Sequence, residues 1–377
     1  MNILFPYMAR WKSINWTRYH NLLTEFAKRG HKIYIIQPPP LKSNETNFLE
    51  IEIEVHKNIH LINLDKILLW NINLPFSKIL KKGIYTYVLS KKINEYIKKF
   101  NIDLVILYNI PQYLIIKNLK DKTNIIFDIS DDYPEMLKYE IKILGSFIKK
   151  LGENYLKEMI NMVDLVVVSS NGLKEKYCKI AYLIPNGVDL EMIKHYKKET
   201  NNKKIIGFIG SFEYFIDFNL IFYLAKNLND IDFILVGNGR LFNRIKNYIE
   251  RNKIENILLT DSIPHQEIYK YLNKFDIALL PFKKDEISDN ACPLKLFEYT
   301  LFKIPIVSNN LKEIRNIGDE FVNFYDNYED ALKIIKDIFI SEEKYMKKIE
   351  IGFIKMKERY NWKILSEEYL NLINNLS

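Results

Sequence analysis

Short apolar runs alternate with longer stretches of helical periodicity along the first half of the chain. Such alternation is typical of a doubly wound α/β domain built on a parallel sheet. The predicted strands are residues 2–7, 32–37, 60–64, 104–108, 124–129, 165–169 and 181–184. The predicted helices are residues 14–29, 77–100, 134–161 and 171–179.

The same alternation begins again at Lys203, with predicted strands at residues 205–209, 232–236, 256–259, 277–280, 305–308 and 321–325. Between the two halves, Pro185 and the pair Asn186-Gly187 predict a turn. We therefore predict an α/β protein of two Rossmann-like, doubly wound domains, residues 1–183 and residues 184–360.

Composition narrows the class of protein. A chain of 377 residues with 48% hydrophobic residues can form two globular cores. Its apolar runs are far shorter than the roughly 20 residues of a membrane-spanning helix, and its N-terminal segment lacks signal-peptide features. Two cysteines fit a reducing cytoplasm, and the six histidines show no metal-ligand spacing. We expect a cytoplasmic protein without a bound metal.

The net charge of +8 admits three kinds of partner: a nucleic acid, an anionic membrane surface or an anionic small substrate. No nucleic-acid motif accompanies the charge, and the lysines are scattered among Ile and Asn, as a compositional bias would also produce. We expect no nucleic-acid partner.

Residues 289–302 are the most informative stretch. Pro293 suits the first position of a helix, the following residues are nearly all apolar, and Lys295 and Glu298 lie three apart on one face. A helix this apolar is covered on most sides, so its charges should pair with each other or meet a ligand. Ligands of open α/β sheets bind at the carboxyl ends of strands, and predicted strands flank this helix. An ordinary surface ion pair is the alternative.

The run PLKLFEY at residues 293–299, with PIV at 305–307, resembles the nucleotide-sugar signature of the retaining GT-B glycosyltransferases of family 4 (glycosyl transferases group 1). The run PNGVD at residues 185–189 resembles the linker into their second domain. The resemblance implies two domains facing a central cleft, with the terminal helix, residues 361–377, returning to the first domain. It also implies that Glu298 holds the ribose of the donor, that the transfer retains anomeric configuration, and that no metal or other cofactor is needed, since the nucleotide-sugar is a substrate.

The sequence departs from the family pattern in two places. Gly210 and Ser211 end the first strand of the second half, where a glycine lets the backbone approach a phosphate, although a packing glycine is the alternative. Relatives commonly follow this strand with an Arg and a Lys, which are absent here, so Lys295 is expected to supply the cation. Asn290 stands where relatives have a Glu. A different donor, a role for Asp289 or backbone amides, or an inactive protein would each account for that change.

The resemblance extends these assignments. Relatives bind the base through the loop at residues 260–265, and they place donor- or acceptor-facing polar groups at the edge formed by residues 128–133. In the first domain a loop rich in Arg, Trp and His could hold sugar and diphosphate, although Trp16 could equally be a core residue. The acids at 128–132 could equally form a solvated loop. The expected catalytic residues are Asp131, Asn290 and Lys295, and the expected donor-binding residues are Arg10, Arg18, Gly210, Ser211, Ile263, Asn290, Leu294, Lys295 and Glu298.

Two predicted helices combine apolar periodicity with many lysines. One carries Met136, Tyr139, Ile143, Phe147, Ile148 and Leu151, and the other spans residues 76–100. Basic amphipathic helices bind anionic membrane surfaces, although these helices must also cover the sheet. We expect an enzyme that moves a sugar from UDP- or GDP-sugar to a cell-surface polysaccharide or a lipid-linked acceptor, with docking at the inner face of the membrane as a further prediction. A catalytically inactive nucleotide-sugar-binding subunit is the alternative.

Overall fold

The computed structural model describes residues 1–14, 16–40, 51–64, 77–119, 123–140 and 144–376, with the backbone alone at residues 77–79 and 140. The chain divides into two compact units. The N-terminal unit comprises Met1–Pro185 and Leu365–Ser377, and the C-terminal unit comprises Asn186–Ile364. The predicted boundaries were 183/184 and 360/361.

The N-terminal unit is built on a parallel sheet of seven strands among its described residues. The strands are β1 (Asn2–Pro6), β2 (Lys32–Gln37), β3 (Ile59–Asn63), β4 (Leu104–Leu107), β5 (Asn124–Ile129), β6 (Leu165–Val168) and β7 (Tyr182–Leu183). Their order is β3-β2-β1-β4-β5-β6-β7, and each neighbouring pair is parallel. The central strand β4 is apolar and buried along its whole length, as is typical of a parallel sheet that helices cover on both faces.

The helices of this unit are α1 (Arg18–Lys28), α2 (Ser77–Phe100), α3 (Tyr113–Asn118), α4 (Tyr133–Glu140), α5 (Gly145–Met162) and α6 (Asn171–Tyr177), with a 3-10 turn at Ile110–Gln112. The first helix begins at Arg18, later than predicted, because His20 closes its first turn by accepting a hydrogen bond from the Thr17 N–H at 3.0 Å.

The single helix predicted at residues 134–161 is wrong, because the structure has two helices there, α4 and α5. They pack against each other at a glycine: a Cβ on Gly145 would lie 2.5 Å from the carbonyl oxygen of Lys138. Helical periodicity continues through both segments, so the pattern alone does not reveal the break.

The C-terminal unit repeats the plan with six parallel strands in the order β10-β9-β8-β11-β12-β13. They are β8 (Ile205–Ile209), β9 (Asp232–Val236), β10 (Ile257–Thr260), β11 (Ile277–Leu280), β12 (Ile306–Asn309) and β13 (Val322–Tyr325). The helices are α7 (Phe218–Asn227), α8 (Phe242–Arg251), α9 (Tyr269–Leu272), α10 (Glu286–Asn290), α11 (Leu294–Leu301), α12 (Lys312–Gly318), α13 (Tyr328–Ile340) and α14 (Glu342–Glu358), with 3-10 turns at Leu190–His195 and His265–Glu267. The last helix, α15 (Trp362–Asn374), begins in this unit and ends in the N-terminal unit.

In each sheet the strand order reverses once, between β1 and β4 and between β8 and β11. Such a reversal opens a crevice at the carboxyl ends of the two strands, where doubly wound folds bind ligands. Two parallel sheets of this topology confirm the predicted fold class of two Rossmann-like α/β domains.

Candidate active site

Helix α11 lies between β11 and β12 in the chain and is tied to the end of β8. The hydroxyl of Tyr299 accepts a hydrogen bond from the Ile209 N–H at 2.8 Å, and it lies 3.3 Å from the Ile209 carbonyl oxygen. The helix begins at Leu294, with Pro293 extended as its N-cap, one residue later than predicted. The tyrosine therefore fixes α11 beside the strand reversal.

Glu298 is almost fully buried, with 3% of its surface exposed. One carboxylate oxygen accepts from the Lys295 ammonium at 2.5 Å, and the other lies 2.9 Å from His265 Nε2. A carboxylate can only accept, so Nε2 of His265 must carry the proton of that hydrogen bond. The two charged residues of α11 therefore do pair with each other, but Glu298 is buried and also contacts His265.

These neighbours decide the protonation state of Glu298. Burial alone would raise its pKa, but the charge of Lys295 and the hydrogen bond and charge of His265 outweigh burial and lower the pKa to about 2. The carboxylate is therefore ionised at any physiological pH. An ionised carboxylate beside a cation at the carboxyl edge of a sheet suits the recognition of hydroxyl groups next to a phosphate.

His265 is the last residue of the loop at residues 260–265, but its contact with Glu298 was not predicted. It begins the 3-10 turn after β10 and is 33 positions from Glu298, so no local spacing links the two. The loop itself was predicted to bind the nucleotide base. Ile263 of that loop is half-buried and packs against the core of the unit. The histidine and the loop thus lie on the same side of the C-terminal sheet as Glu298.

The segment after β8 is shaped by a glycine turn. Gly237 and Gly239 have φ values of +150° and +159°, and a Cβ at Gly237 would lie 1.8 Å from the Gly210 carbonyl oxygen. The turn after β9 therefore packs directly on the backbone that follows β8. Ser211 is exposed beside it.

Helix α10 carries Asn290, which is half-exposed. Its neighbour Asp289 accepts a hydrogen bond from the Lys312 N–H at 3.2 Å, at the start of α12. The carboxylate of Asp289 is thus engaged with a helix N-terminus, where it complements the helix dipole. Leu294 and Lys295 are half-exposed at the start of α11.

Both predicted arginines of the N-terminal unit are only 2% exposed. Arg10 donates to the Pro38 carbonyl oxygen at 2.5 Å and to Asn63 Oδ1 at 2.6 Å. Arg18 donates to the Ile184 carbonyl oxygen at 3.0 Å and pairs with Asp128 at 3.2 Å. These contacts hold strand ends and loops together, and donor binding by either arginine stays a prediction.

The acids at the end of β5 have different surroundings. Asp128 is buried against Arg18 and Tyr19, and Asp132 is buried against Lys176 at 2.6 Å. Asp131 is exposed and accepts from Ser130 Oγ at 3.0 Å. Of the three, Asp131 has the exposure that an acceptor-facing residue needs.

The predicted basic helices present part of their apolar side to solvent. Phe147, Leu151 and Tyr139 are exposed, and Met136, Ile148 and Leu151 line a pocket. Phe76, Lys142 and Ile143 lie outside the described residues.

No described helix combines the length and the apolar character needed to cross a bilayer. Within the same described part of the chain, no group of three or more His, Cys, Asp or Glu side chains could hold a metal ion.

The chain matches two family models that adjoin along the sequence. "Glycosyltransferase Family 4" matches residues 16–192, and "Glycosyl transferases group 1" matches residues 191–353. The second match contains α11 and the Glu298 cluster.

Similar proteins agree with these matches. TuaH of Bacillus subtilis (strain 168), named as a glycosyltransferase of teichuronic acid biosynthesis, is 24% identical over 232 residues, which are 58% of each chain. The chain spans a little over half the length of the curated relatives it matches.

Solved structures share the fold over nearly the whole chain. The sucrose-phosphate synthase of Thermosynechococcus elongatus superposes with a TM-score of 0.81 at 13% identity, covering 100% of this chain and 99% of that one. Anabaena HepE in complex with UDP and glucose superposes with a TM-score of 0.68 at 12% identity, covering 99% of both. These likenesses confirm the GT-B fold, and the two family matches, which together extend from residue 16 to residue 353, confirm the predicted family: the chain belongs to the GT-B glycosyltransferases of family 4, glycosyl transferases group 1.

Proposed function

We propose that this glycosyltransferase moves a sugar from a nucleoside-diphosphate sugar, with UDP or GDP as the nucleotide, to a surface polysaccharide or a lipid-linked acceptor. The observation that carries the proposal is the buried, ionised Glu298 between Lys295 and His265. Its carboxylate has about four acceptor positions. Lys295 and His265 occupy two of them, which leaves acceptor capacity for the two hydroxyls of a ribose.

In this proposal Lys295 serves the leaving group. Its side chain is 21% exposed, so the ammonium can reach a diphosphate while remaining near Glu298. The transition state of glycosyl transfer is oxocarbenium-like, and negative charge grows on the departing diphosphate. A cation placed there stabilises the transition state more than the ground state. We propose retention of configuration, chemistry without a metal or other cofactor, and a cytoplasmic location by analogy with the family.

Support for a UDP-sugar comes from HepE, whose structure holds UDP and glucose. Support for a surface glycan comes from TuaH, which is named for teichuronic acid biosynthesis. Both proteins are distant in sequence, so the base, the sugar and the acceptor are what the experiment must identify.

The test is a thermal-shift screen of the purified protein against UDP, GDP and an oligonucleotide, followed by incubation with the matching sugar donor. We expect one nucleotide to raise the melting temperature and its sugar donor to be hydrolysed slowly without acceptor. Stabilisation by the oligonucleotide alone, or by no nucleotide, would refute the proposal.

A second candidate, an inactive nucleotide-sugar-binding subunit, is favoured by one observation: Asn290 stands where the family has a Glu. It predicts stabilisation by a nucleotide without any hydrolysis of the donor. Asn290→Glu separates the two candidates, since hydrolysis that appears only in this variant would identify the wild type as the inactive subunit.

A further inference from the structure

The N-terminal unit contains an apolar pocket of about 440 Å³ formed by α2, α4, α5 and the segment that leads into α3. Pockets that bind small molecules have volumes of about 300–1,000 Å³ and are mostly apolar. None of the predicted site residues lines this pocket. It is therefore a site that the proposed donor chemistry does not use.

Exposed apolar side chains continue the pocket lining onto the surface. Leu151 and Tyr155 line the pocket and are themselves exposed. Phe147, one turn before Leu151 on α5, is 68% exposed. Residues spaced four apart lie on one helix face, so the three form a continuous apolar stripe. Leu114 of α3 is also exposed and lines the pocket. Contiguous apolar surface of this kind marks a site of contact with a membrane or another molecule.

A glycine in α2 keeps part of the pocket open. Gly83 lies in the interior of a 24-residue helix, where glycine costs about 0.5–1 kcal/mol relative to alanine. A Cβ built on Gly83 would meet no atom within 4 Å. By contrast, a Cβ on Gly152 would contact Leu137 at 3.2 Å. Packing thus accounts for Gly152, whereas at Gly83 the space beside the glycine belongs to the pocket.

The charge around the pocket favours an anionic partner. Lys82 is the cation of the described lining, which contains no acidic residue. Helix α2 as a whole carries seven lysines and a single glutamate. A molecule that combines a hydrocarbon chain with a negative headgroup would complement both the lining and the charge.

The pocket also reaches the predicted acceptor edge of the sheet. Its lining includes Asn109, two residues after β4, and Tyr133, the first residue of α4 after β5. The hydroxyl of Tyr133 lies 3.0 Å from Ser130 Oγ, which donates to Asp131. A chain in this pocket would end near the exposed carboxylate of Asp131.

We propose that this pocket binds the hydrocarbon chain of a membrane-borne lipid phosphate, with Lys82 beside the anionic headgroup and the stripe of Phe147, Leu151 and Tyr155 in the membrane surface. The identification of that lipid as the carrier of the sugar acceptor rests on the proposed function. The binding of the chain itself does not.

Calorimetric titration with dodecyl phosphate below its micelle concentration tests the proposal on the full chain. The matched variants are Gly83→Ala, which adds a methyl group and leaves room, and Gly83→Leu, which fills the space with a residue that also favours helix. We expect the wild type and Gly83→Ala to bind with similar affinity and Gly83→Leu to bind at least about tenfold more weakly. Binding by Gly83→Leu that equals the wild type, or no saturable binding by the wild type, would overturn the proposal.

Two further measurements identify what is bound. Inorganic phosphate at the same concentration should not displace dodecyl phosphate, and displacement would mean a phosphate site without a chain site. Lys82→Gln should weaken the binding of dodecyl phosphate more than that of the uncharged dodecyl maltoside. Equal losses of affinity for the two would contradict the role proposed for Lys82. UDP binding by Gly83→Leu reports on the fold and on the donor site separately. If neither the wild type nor any variant bound UDP or GDP while dodecyl phosphate still bound, the proposed function would fail and the pocket assignment would stand.

Discussion

Each unit contains a buried carboxylate paired with a cation, and the two pairs differ in one respect that matters for function. In the N-terminal unit Asp128 and Arg18 are both sealed, with side chains 1% and 2% exposed. In the C-terminal unit the side chain of Glu298 is 4% exposed, but the side chains of Lys295 and His265 are 21% and 15% exposed. The cation of the second pair therefore offers more surface to a ligand than the cation of the first pair.

The pKa values of the two acids move in opposite directions. Burial raises the pKa of Asp128, and the charge of Arg18 with hydrogen bonds from Tyr369, Arg18 and Tyr19 offsets only part of that effect. Burial acts in the same sense on Glu298, but Lys295 and His265 prevail and its pKa falls. The fold therefore raises the pKa of Asp128 above its ordinary value and lowers the pKa of Glu298 below its ordinary value. We infer that the first pair is structural and the second is prepared for a ligand.

The largest effect should come from breaking the buried pair of Arg18 and Asp128. Arg18→Ala leaves a buried carboxylate without its cation, which typically costs about 3–5 kcal/mol of unfolding free energy. Because Asp128 can take up a proton, the loss should be smaller at pH 5 than at pH 7. Urea denaturation of the full chain at both pH values measures this loss of unfolding free energy. The double variant Arg18→Met, Asp128→Asn should recover much of the stability, and a single variant that unfolds like the wild type would show that the pair is not structural.

Stability at acid pH tests the pair formed by Glu298 and Lys295. The pKa of Glu298 is lowered from 4.5 to about 2, and each pKa unit corresponds to about 1.4 kcal/mol, so its ionisation stabilises the fold by about 3 kcal/mol. A lowered pKa gives stability that is present above pH 4.5 and is lost as the pH falls toward 2. We expect Glu298→Gln to be less stable than the wild type at pH 7, with the difference shrinking below pH 4.5. Thermal unfolding from pH 7 to pH 3 checks this, and a constant difference would argue against an ionised Glu298.

Much of the fold could be predicted from the sequence because parallel strands buried on both faces are short, continuous apolar runs. The observed strand β5 (Asn124–Ile129) has the predicted bounds, and so do β2, β8, β9 and β11. The break between α4 and α5 could not be predicted, since it depends on the approach of Gly145 to Lys138 in three dimensions.

The candidate site divides in the same way. Lys295 and Glu298 are neighbours on one helix, so their pairing follows from spacing. The third residue of the cluster, His265, contacts Glu298 because of the strand order β10-β9-β8-β11. No local sequence pattern encodes that order. The sequence also shows the charge of Arg10 and Arg18 but not their burial, which depends on Pro38, Asn63 and Asp128 folding around them.

Nucleotide affinity should distinguish the two pairs directly. Glu298→Ala removes the proposed ribose contacts, and hydrogen bonds to a charged group contribute about 1.5–3 kcal/mol, or about tenfold to a hundredfold in affinity. Calorimetry with whichever of UDP and GDP stabilises the wild type measures the loss. Glu313 of α12 offers a matched control, because it is an equally buried glutamate of the same unit. Unchanged affinity in Glu298→Ala, or an equal loss in Glu313→Ala, would remove Glu298 from the donor site.

The smallest expected effect, and the sharpest one for the comparison, concerns the cation itself. If Lys295 only pairs with Glu298, as Arg18 pairs with Asp128, then Lys295→Ala should weaken the binding of the nucleoside monophosphate and that of the diphosphate equally. If its half-exposed ammonium also meets the second phosphate, the diphosphate should lose a further hydrogen bond worth about 0.5–1.5 kcal/mol, or about twofold to tenfold in affinity. Calorimetry with UMP and UDP, or GMP and GDP, on the wild type, Lys295→Ala and His265→Gln measures both losses. We expect His265→Gln to affect the binding of the two nucleotides alike, because His265 and Lys295 contact different carboxylate oxygens of Glu298. A loss of affinity that is selective for the diphosphate in Lys295→Ala alone would place Lys295 at the diphosphate. Equal losses of affinity for the two nucleotides in both variants would make Lys295 a structural partner of Glu298.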